Sequence, residues 1–318
     1  MEGSPGFPLG LALLFARLCK KTVRQLGGGK GTQNRLSRYG CMIDLIETDG
    51  RGEEALWSVA RARSPLIGTA IHDGHLLRRE LAARMKLDAA GRLREEDPFT
   101  AAFIGDLGNR IVVHRSRFEV DLNRSRDGAV YLHPEQAWGL DIWAEPPDGE
   151  ALESLLGQHD GYYAMLKAVL SDIERAHGRF VLLDMHSYNH RRAGPDAAPT
   201  APADAPDINI GTFSMDRAFW APVVDAFMAS LRAQPFAGRR LDVRENVAFA
   251  GKGEQTRFVH AHFPRSGCAI AVEFKKIFMD EWTGEPDRDV IAALRAAVRA
   301  SLPALEAALR TMPDGDAP

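Results

Sequence analysis

The chain has 318 residues, 45% of them hydrophobic and 26% charged, with a formal net charge of −3. These values fit a soluble globular protein with a core that needs no covalent staples, and they predict no affinity for nucleic acid or anionic membranes. Cys19, Cys41 and Cys268 are odd in number and form no CxxC pair, which argues against a disulfide framework or a zinc knuckle and for a reducing cytoplasm.

In chain order, Phe7–Ala16 is a short apolar run, too short to span a bilayer. Arg17, Lys20, Lys21 and Arg24 follow it, where a secretory signal would place its charges first. Gly27–Asn34 is polar and glycine-rich. Residues 1–41 are therefore expected to be a flexible extension, with Met42 a possible start and a weak membrane-surface helix the alternative. Residues 42–318 are expected to form one domain. Leu66–Ile71 reads as a buried strand and Leu76–Met85 as a helix. Arg110–His114 and Phe118–Leu122 read as short strands. Glu150–His177 places Leu152, Leu155, Leu156, Tyr163, Leu166 and Val169 near a 3.6-residue period and stops at Gly178. Phe180–Leu183 and Ile270–Phe274 are further buried strands. Asp216–Leu231 and Asp287–Leu309 are helical. Ala193–Asp207, rich in Pro, Ala and Asp, is irregular and reads equally as a rim lid or a surface insertion. Strands alternating with long helices predict a three-layer α/β/α fold around a mostly parallel mixed sheet.

Chemistry gathers where the apolar runs end. His72 follows Leu66–Ile71, and His186 follows Val181–Leu183 with Asp184 as an orienting acceptor. Both suit a metal whose third ligand is a carboxylate. Glu95, Glu96 and Asp97 are candidates for that third place, although Asp97 before Pro98 also reads as a helix cap. His75 competes for it. Arg115, Arg117, Arg124 and Arg126 gather around Asp121-Leu-Asn123-Arg124, and a guanidinium fork there would grip a substrate carboxylate. Glu273 closes the apolar run Ala269–Val272, and burial there is costly unless the group is paired or functional. The choices are a general base or an ion pair with Lys275 or Lys276. Ser187 as a nucleophile lacks the flanking glycines of a strained elbow.

Six elements in order give a resemblance. Ile71-His72-Asp73-Gly74, Ser116-Arg117 through Asp121-Leu-Asn123-Arg124, Asp184-Met-His186-Ser187, Pro206-Asp207-Ile-Asn209-Ile-Gly211-Thr212, Asn246-Val-Ala-Phe249-Ala-Gly251 and Glu273 together resemble the N-formylglutamate amidohydrolase family. That family is similar in fold to the zinc carboxypeptidases. Ile71 replaces the family's proline, and Lys252 interrupts its glycine pair. The resemblance implies one Zn²⁺ held by His72, Asp97 and His186, with Glu96 or His75 as alternatives to Asp97. It implies Glu273 as general base, and Arg117, Asn123, Arg124 and Asn209 as substrate-binding residues. The implied substrate is a small N-acyl amino acid with a free carboxylate, such as N-formyl-L-glutamate. A carboxypeptidase-like or broader N-acyl amino acid deacylase, or a non-catalytic binding homologue, is the alternative.

Overall fold

The computed structural model describes residues 44–46 and 55–313; the expected N-terminal extension lies outside them. Among the described residues of the unit Cys41–Pro318, ten strands form: β1 (Asp44–Ile46), β2 (Trp57–Arg61), β3 (Leu66–Ala70), β4 (Asn109–Val113), β5 (Phe180–Tyr188), β6 (Ile208–Gly211), β7 (Pro235–Phe236), β8 (Arg239–Arg240), β9 (Val243–Glu245) and β10 (Gly267–Lys275). Eight of them form one sheet in the order β1-β2-β4-β3-β5-β10-β6-β9. The central run β4-β3-β5-β10 is parallel, while β1, β2 and β6 pair antiparallel to their inner neighbours. This is the mixed, mostly parallel α/β sheet that the alternating strands and helices predict.

Period-2 side-chain alternation sends each central strand to two different cores. Leu66 and Ala70 of β3, Val181, Leu183 and Met185 of β5, and Cys268, Ile270, Val272 and Phe274 of β10 face one layer. That layer is built by α5 (Ala221–Ala233) and α7 (Arg288–Thr311). Ile67, Phe180, Leu182 and Ala269 face the other layer, built mainly by α4 (Gly149–His177). With both faces covered, β5 is buried at every position, which is why it reads as a continuous run. The long helix α4 ends as its sequence predicts: Gly178 has φ +75°, a conformation that favours glycine at a helix stop.

Three expectations change. Leu76–Met85 holds only the four-residue α1 (Arg79–Ala82), because its leading residues bridge to Arg115 instead. Phe118–Leu122 is a turn; its apolar side chains pack inward while Asp121 gathers hydrogen bonds. Asp97 caps nothing: the short α3 (Thr100–Phe103) starts from Phe99, and the Asp97 side chain turns into the site. Two further helices, α2 (Ala89–Glu95) and α6 (Glu254–His262), are too polar to announce themselves by period.

Candidate active site

Alternation also builds the site. Phe180 and Leu182 bury their side chains against α4, and the same parity carries on through Asp184 and His186. The strand therefore runs apolar-to-polar along one face. Across the parallel pair, Glu273 stands beside His186 and Ala271 beside Asp184, and Thr69 of β3 stands beside Asp184 from the other side. Adjacent strands lie ~4.8 Å apart, so one face of three strands concentrates these groups at the carboxyl ends, where open α/β sheets bind ligands.

His72, Asp97 and His186 converge there, all buried, with ligand atoms within 4.8 Å of one another. Each histidine places Nδ1 3.2 Å from the same oxygen, Asp97 Oδ2. Asp97 Oδ1 accepts from Ser187 Oγ at 3.0 Å. Ligands ~2.1 Å from a tetrahedral centre stand ~3.4 Å apart, so the cluster has the right size for a divalent ion. The opposite ring nitrogens face acids. His72 Nε2 lies 2.7 Å from Asp121 Oδ1. His186 Nε2 lies 3.1 Å from Asp184 Oδ2, close enough for charge pairing but not aligned for a hydrogen bond. A carboxylate that bonds an imidazole from behind fixes the ring nitrogen that faces a metal, and Asp121 does so for His72. Burial works against charge here, yet the two histidines hold the Asp97 carboxyl far below its ordinary range. Likewise burial works against charge on His186, yet the carboxylates of Asp184, Asp97 and Glu273 together raise it.

The competitors for the third place stand elsewhere. His75 Nδ1 meets Glu96 Oε2 at 2.5 Å, and Ser116 Oγ bonds the other Glu96 oxygen, so these two residues pair with each other. The segment leading to Asp97 is held by Lys276, whose Nζ donates to the carbonyls of Arg94 (2.5 Å) and Glu96 (2.7 Å). Burial pushes this lysine down to about 8. Lys275 reaches Asp207 and the Ala205 carbonyl. Both lysines bond these other partners, and the ion-pair reading of Glu273 is not realised. Burial pushes the Glu273 carboxyl up to about 7.

A cavity of about 600 Å³ opens over this cluster, lined by His72, Asp97, His186 and Glu273 together with Arg117, Asn123 and Arg124. Arg117 and Arg124, two of the four arginines that line it, differ. Arg117 is tied to Asp121 (2.7 Å), Tyr131 and the Glu95 carbonyl, and against burial the nearby Asp121, Tyr131 and Asp97 together raise it and keep it charged. Arg124 is half exposed, 3.8 Å from Asp121, with one long bond to the Gln136 carbonyl. Arg126 instead pairs with Asp160 and Glu153 on α4, and Arg115 is buried near Glu119. Neither lines the cavity.

Asn209 departs from its expected role. It is buried beside Glu273 in register, but its amide bonds the loop after β9: Nδ2 donates to the Phe249 carbonyl, and Oδ1 accepts from Val247 N and Ala248 N at 2.8 and 2.9 Å. Asn209 shapes the cavity wall and does not line the cavity itself. Ala193–Asp207 also stands outside the cavity lining; only Asn189 and Arg192 at its entry reach it. Arg244 ties the loop to the body through the Pro202 and Ala203 carbonyls.

One group escaped sequence reading. Gln255 of α6, fully buried, donates to Asp184 Oδ1 (2.5 Å) and Thr69 Oγ1 (2.7 Å) and accepts from the Tyr162 hydroxyl. Thr69 Oγ1 also donates to Asp184. The carboxylate facing His186 is thus fixed from behind. Nothing in the polar stretch around Gln255 marks it; only a buried amide amid three partners does. Gln255→Leu is expected to lower metal affinity 10–100-fold, read by competition with a chelator. Unchanged affinity would show that Thr69 alone suffices.

Fold and site together define an α/β protein whose buried His72, Asp97 and His186 gather at the carboxyl ends of a mostly parallel sheet. Residues 64–279 match the model of the N-formylglutamate amidohydrolase family. The chain therefore belongs to that family. Among solved structures it is similar to an N-formylglutamate amidohydrolase from Ralstonia eutropha JMP134, at TM-score 0.59 and 17% identity, covering 77% of this chain and 93% of that one. It is also similar to the gene product Atu2144 of Agrobacterium tumefaciens, at TM-score 0.54 and 15% identity, covering 76% and 91%. A metallo-carboxypeptidase from Burkholderia cenocepacia aligns at TM-score 0.40 and 17% identity, covering 96% and 70%. No curated protein matches in sequence. Among the described residues no helix is long and apolar enough to cross a membrane.

Proposed function

We propose that this protein hydrolyses the amide bond of an N-acyl amino acid with a free carboxylate, releasing formate and glutamate when the substrate is N-formyl-L-glutamate. The observation that carries the reading is the buried His72–Asp97–His186 cluster with Glu273 beside it on the next strand. A single divalent ion, zinc by its nitrogen and oxygen donors, would be held by those three residues and would supply a polarised carbonyl and an acidified water. Glu273 accepts the proton of the attacking water and returns it to the departing nitrogen. Asp121 holds the His72 imidazole in orientation from behind, and the Asp184 carboxylate stands 3.1 Å from His186 Nε2 as its charge partner. Arg124, less committed than Arg117, receives the substrate carboxylate, and Asn123, next to it in the chain, lies 3.5 Å from His186 Nε2. Arg117 keeps Asp121 in place. We place the reaction in the cytoplasm, in keeping with the unpaired, buried Cys268.

A broader N-acyl amino acid deacylase is the second reading, favoured by a cavity of about 600 Å³, which falls within the range of sites for much larger ligands. The deciding experiment is metal content together with chelator-sensitive release of formate from N-formyl-L-glutamate. One bound ion with formate release supports the reading. One ion without release moves the search to other N-acyl amino acids. No bound ion would sink the ligand set and leave a binding homologue. Arg124→Ala is expected to lower kcat/KM about 10–100-fold for substrates with a free carboxylate and much less for amide-capped ones. An equal loss on both would sink the anchor.

A further inference from the structure

Lys276 follows β10 directly and is 2% exposed, yet its ammonium forms no ion pair among the described residues. A buried cation without a counter-charge is costly unless its donors are used. Nζ donates to the carbonyls of Arg94 at 2.5 Å and Glu96 at 2.7 Å. These carbonyls bracket Glu95, where α2 ends. Backbone carbonyls at a helix end lack intrahelical partners and favour cations.

Other distant segments bond the same stretch. Asn189 Nδ2 donates to the Arg94 carbonyl at 3.0 Å, and Arg117 donates to the Glu95 carbonyl at 3.3 Å. The Asp97 N–H donates to the His72 carbonyl at 2.9 Å. Among these side chains only Lys276 holds two of the carbonyls. The local sequence asks for something else. Asp97 before Pro98 is a ready N-cap, but no side chain caps α3. Phe99 takes φ +70°, a left-handed conformation that is sparse for a residue with a side chain. The segment is held against its local preference, and Asp97 Oδ2 thereby stands 3.2 Å from Nδ1 of both His72 and His186.

We propose that Lys276 is a positioning residue for the metal site. By clamping the Arg94 and Glu96 carbonyls to the end of β10, it keeps the Asp97 carboxylate in the third ligand place. Without the clamp, Asp97 turns back toward the helix it precedes. This rests on the metal-dependent reading above. The strand that carries Glu273 thereby also sets the ligand segment, so the general base and the metal share one frame.

The test titrates the full native chain, Lys276→Met, Asp97→Ala and the double substitution with zinc against a competing chelator. Lys276→Met is expected to weaken zinc about 10–100-fold, the effect of a residue that orients a ligand. In the Asp97→Ala background, which keeps both histidines, the same change is expected to weaken zinc no further, because residues that act through one another are not additive. An equal loss in both backgrounds is what a merely structural lysine would give, and it would overturn the proposal. Cobalt in place of zinc reads the ligands directly. The visible bands of Lys276→Met should move from those of the native chain toward those of Asp97→Ala, and bands like the native ones would count against the clamp. Zinc held alike by the native chain and Lys276→Met overturns the role of Lys276 and leaves the hydrolase reading intact. No zinc on the native chain overturns both. Methionine keeps the lysine stem without its charge. Should that variant not fold, Asn189→Ala, which removes the other side-chain donor to the Arg94 carbonyl, is read in the same way.

Discussion

Replacing Glu273 by Gln is expected to lower turnover by ~10²–10⁴-fold while leaving the bound metal in place. Glutamine keeps the size and hydrogen-bonding reach of the residue but cannot accept a proton. Glu273 lies beside His186 in register yet outside the convergent His72–Asp97–His186 set, so metal content should not follow activity. Burial pushes its carboxyl up to about 7, with Asp97 and Asp184 adding to the rise and His186 opposing it. The base works ionised, so kcat/KM of the native enzyme should fall as pH drops through this titration. A bound cation would move that limb to lower pH. The limb should vanish in the Gln variant, and a pH–rate profile of both proteins checks it. The stability sign is opposite. A carboxyl raised in the folded state makes the metal-free protein lose stability as pH climbs from the ordinary glutamate range to about 7. Metal-free Glu273→Gln should therefore melt higher than the native chain at pH 8. Retained activity in the variant would remove Glu273 from the mechanism.

Asp97→Ala is expected to strip the metal. The substitution removes the oxygen that both histidines approach at 3.2 Å, so affinity should fall by more than the ~10–100-fold typical of an orienting residue behind a ligand. Turnover should fall with it. Ser187 Oγ also loses its acceptor, at a cost of ~1–3 kcal/mol for a buried hydroxyl left unsatisfied. His75→Ala is the matching control, because His75 engages Glu96 and not the cluster. Metal analysis after dialysis separates the two. Unchanged metal in Asp97→Ala with loss in His75→Ala would transfer the ligand to the loop after β3.

The local sequence determined the central strands, the long helices α4 and α7 and the chemistry at the strand ends. A strand buried on both faces must be written as an apolar run, and any titratable residue at its end stands out against that background. For the same reason His72, His186 and Glu273 were legible as candidates one at a time. What the local pattern could not set was contact between distant segments. Asp97 looks like a helix cap until the fold turns its side chain toward two histidines from distant segments. Phe118–Leu122 looks like a strand because its apolar residues face a core, whereas its backbone turns so that Asp121 can serve both His72 and Arg117. Asn209 reads as a ligand-binding amide, yet three backbone groups of a loop about forty residues away absorb it. Gln255 carries no signal at all, because a buried amide is recognised only by its partners Thr69, Tyr162 and Asp184. Side-chain alternation is fixed residue by residue along a strand, but which polar groups meet depends on sheet order and register, and those are set only when the whole chain packs.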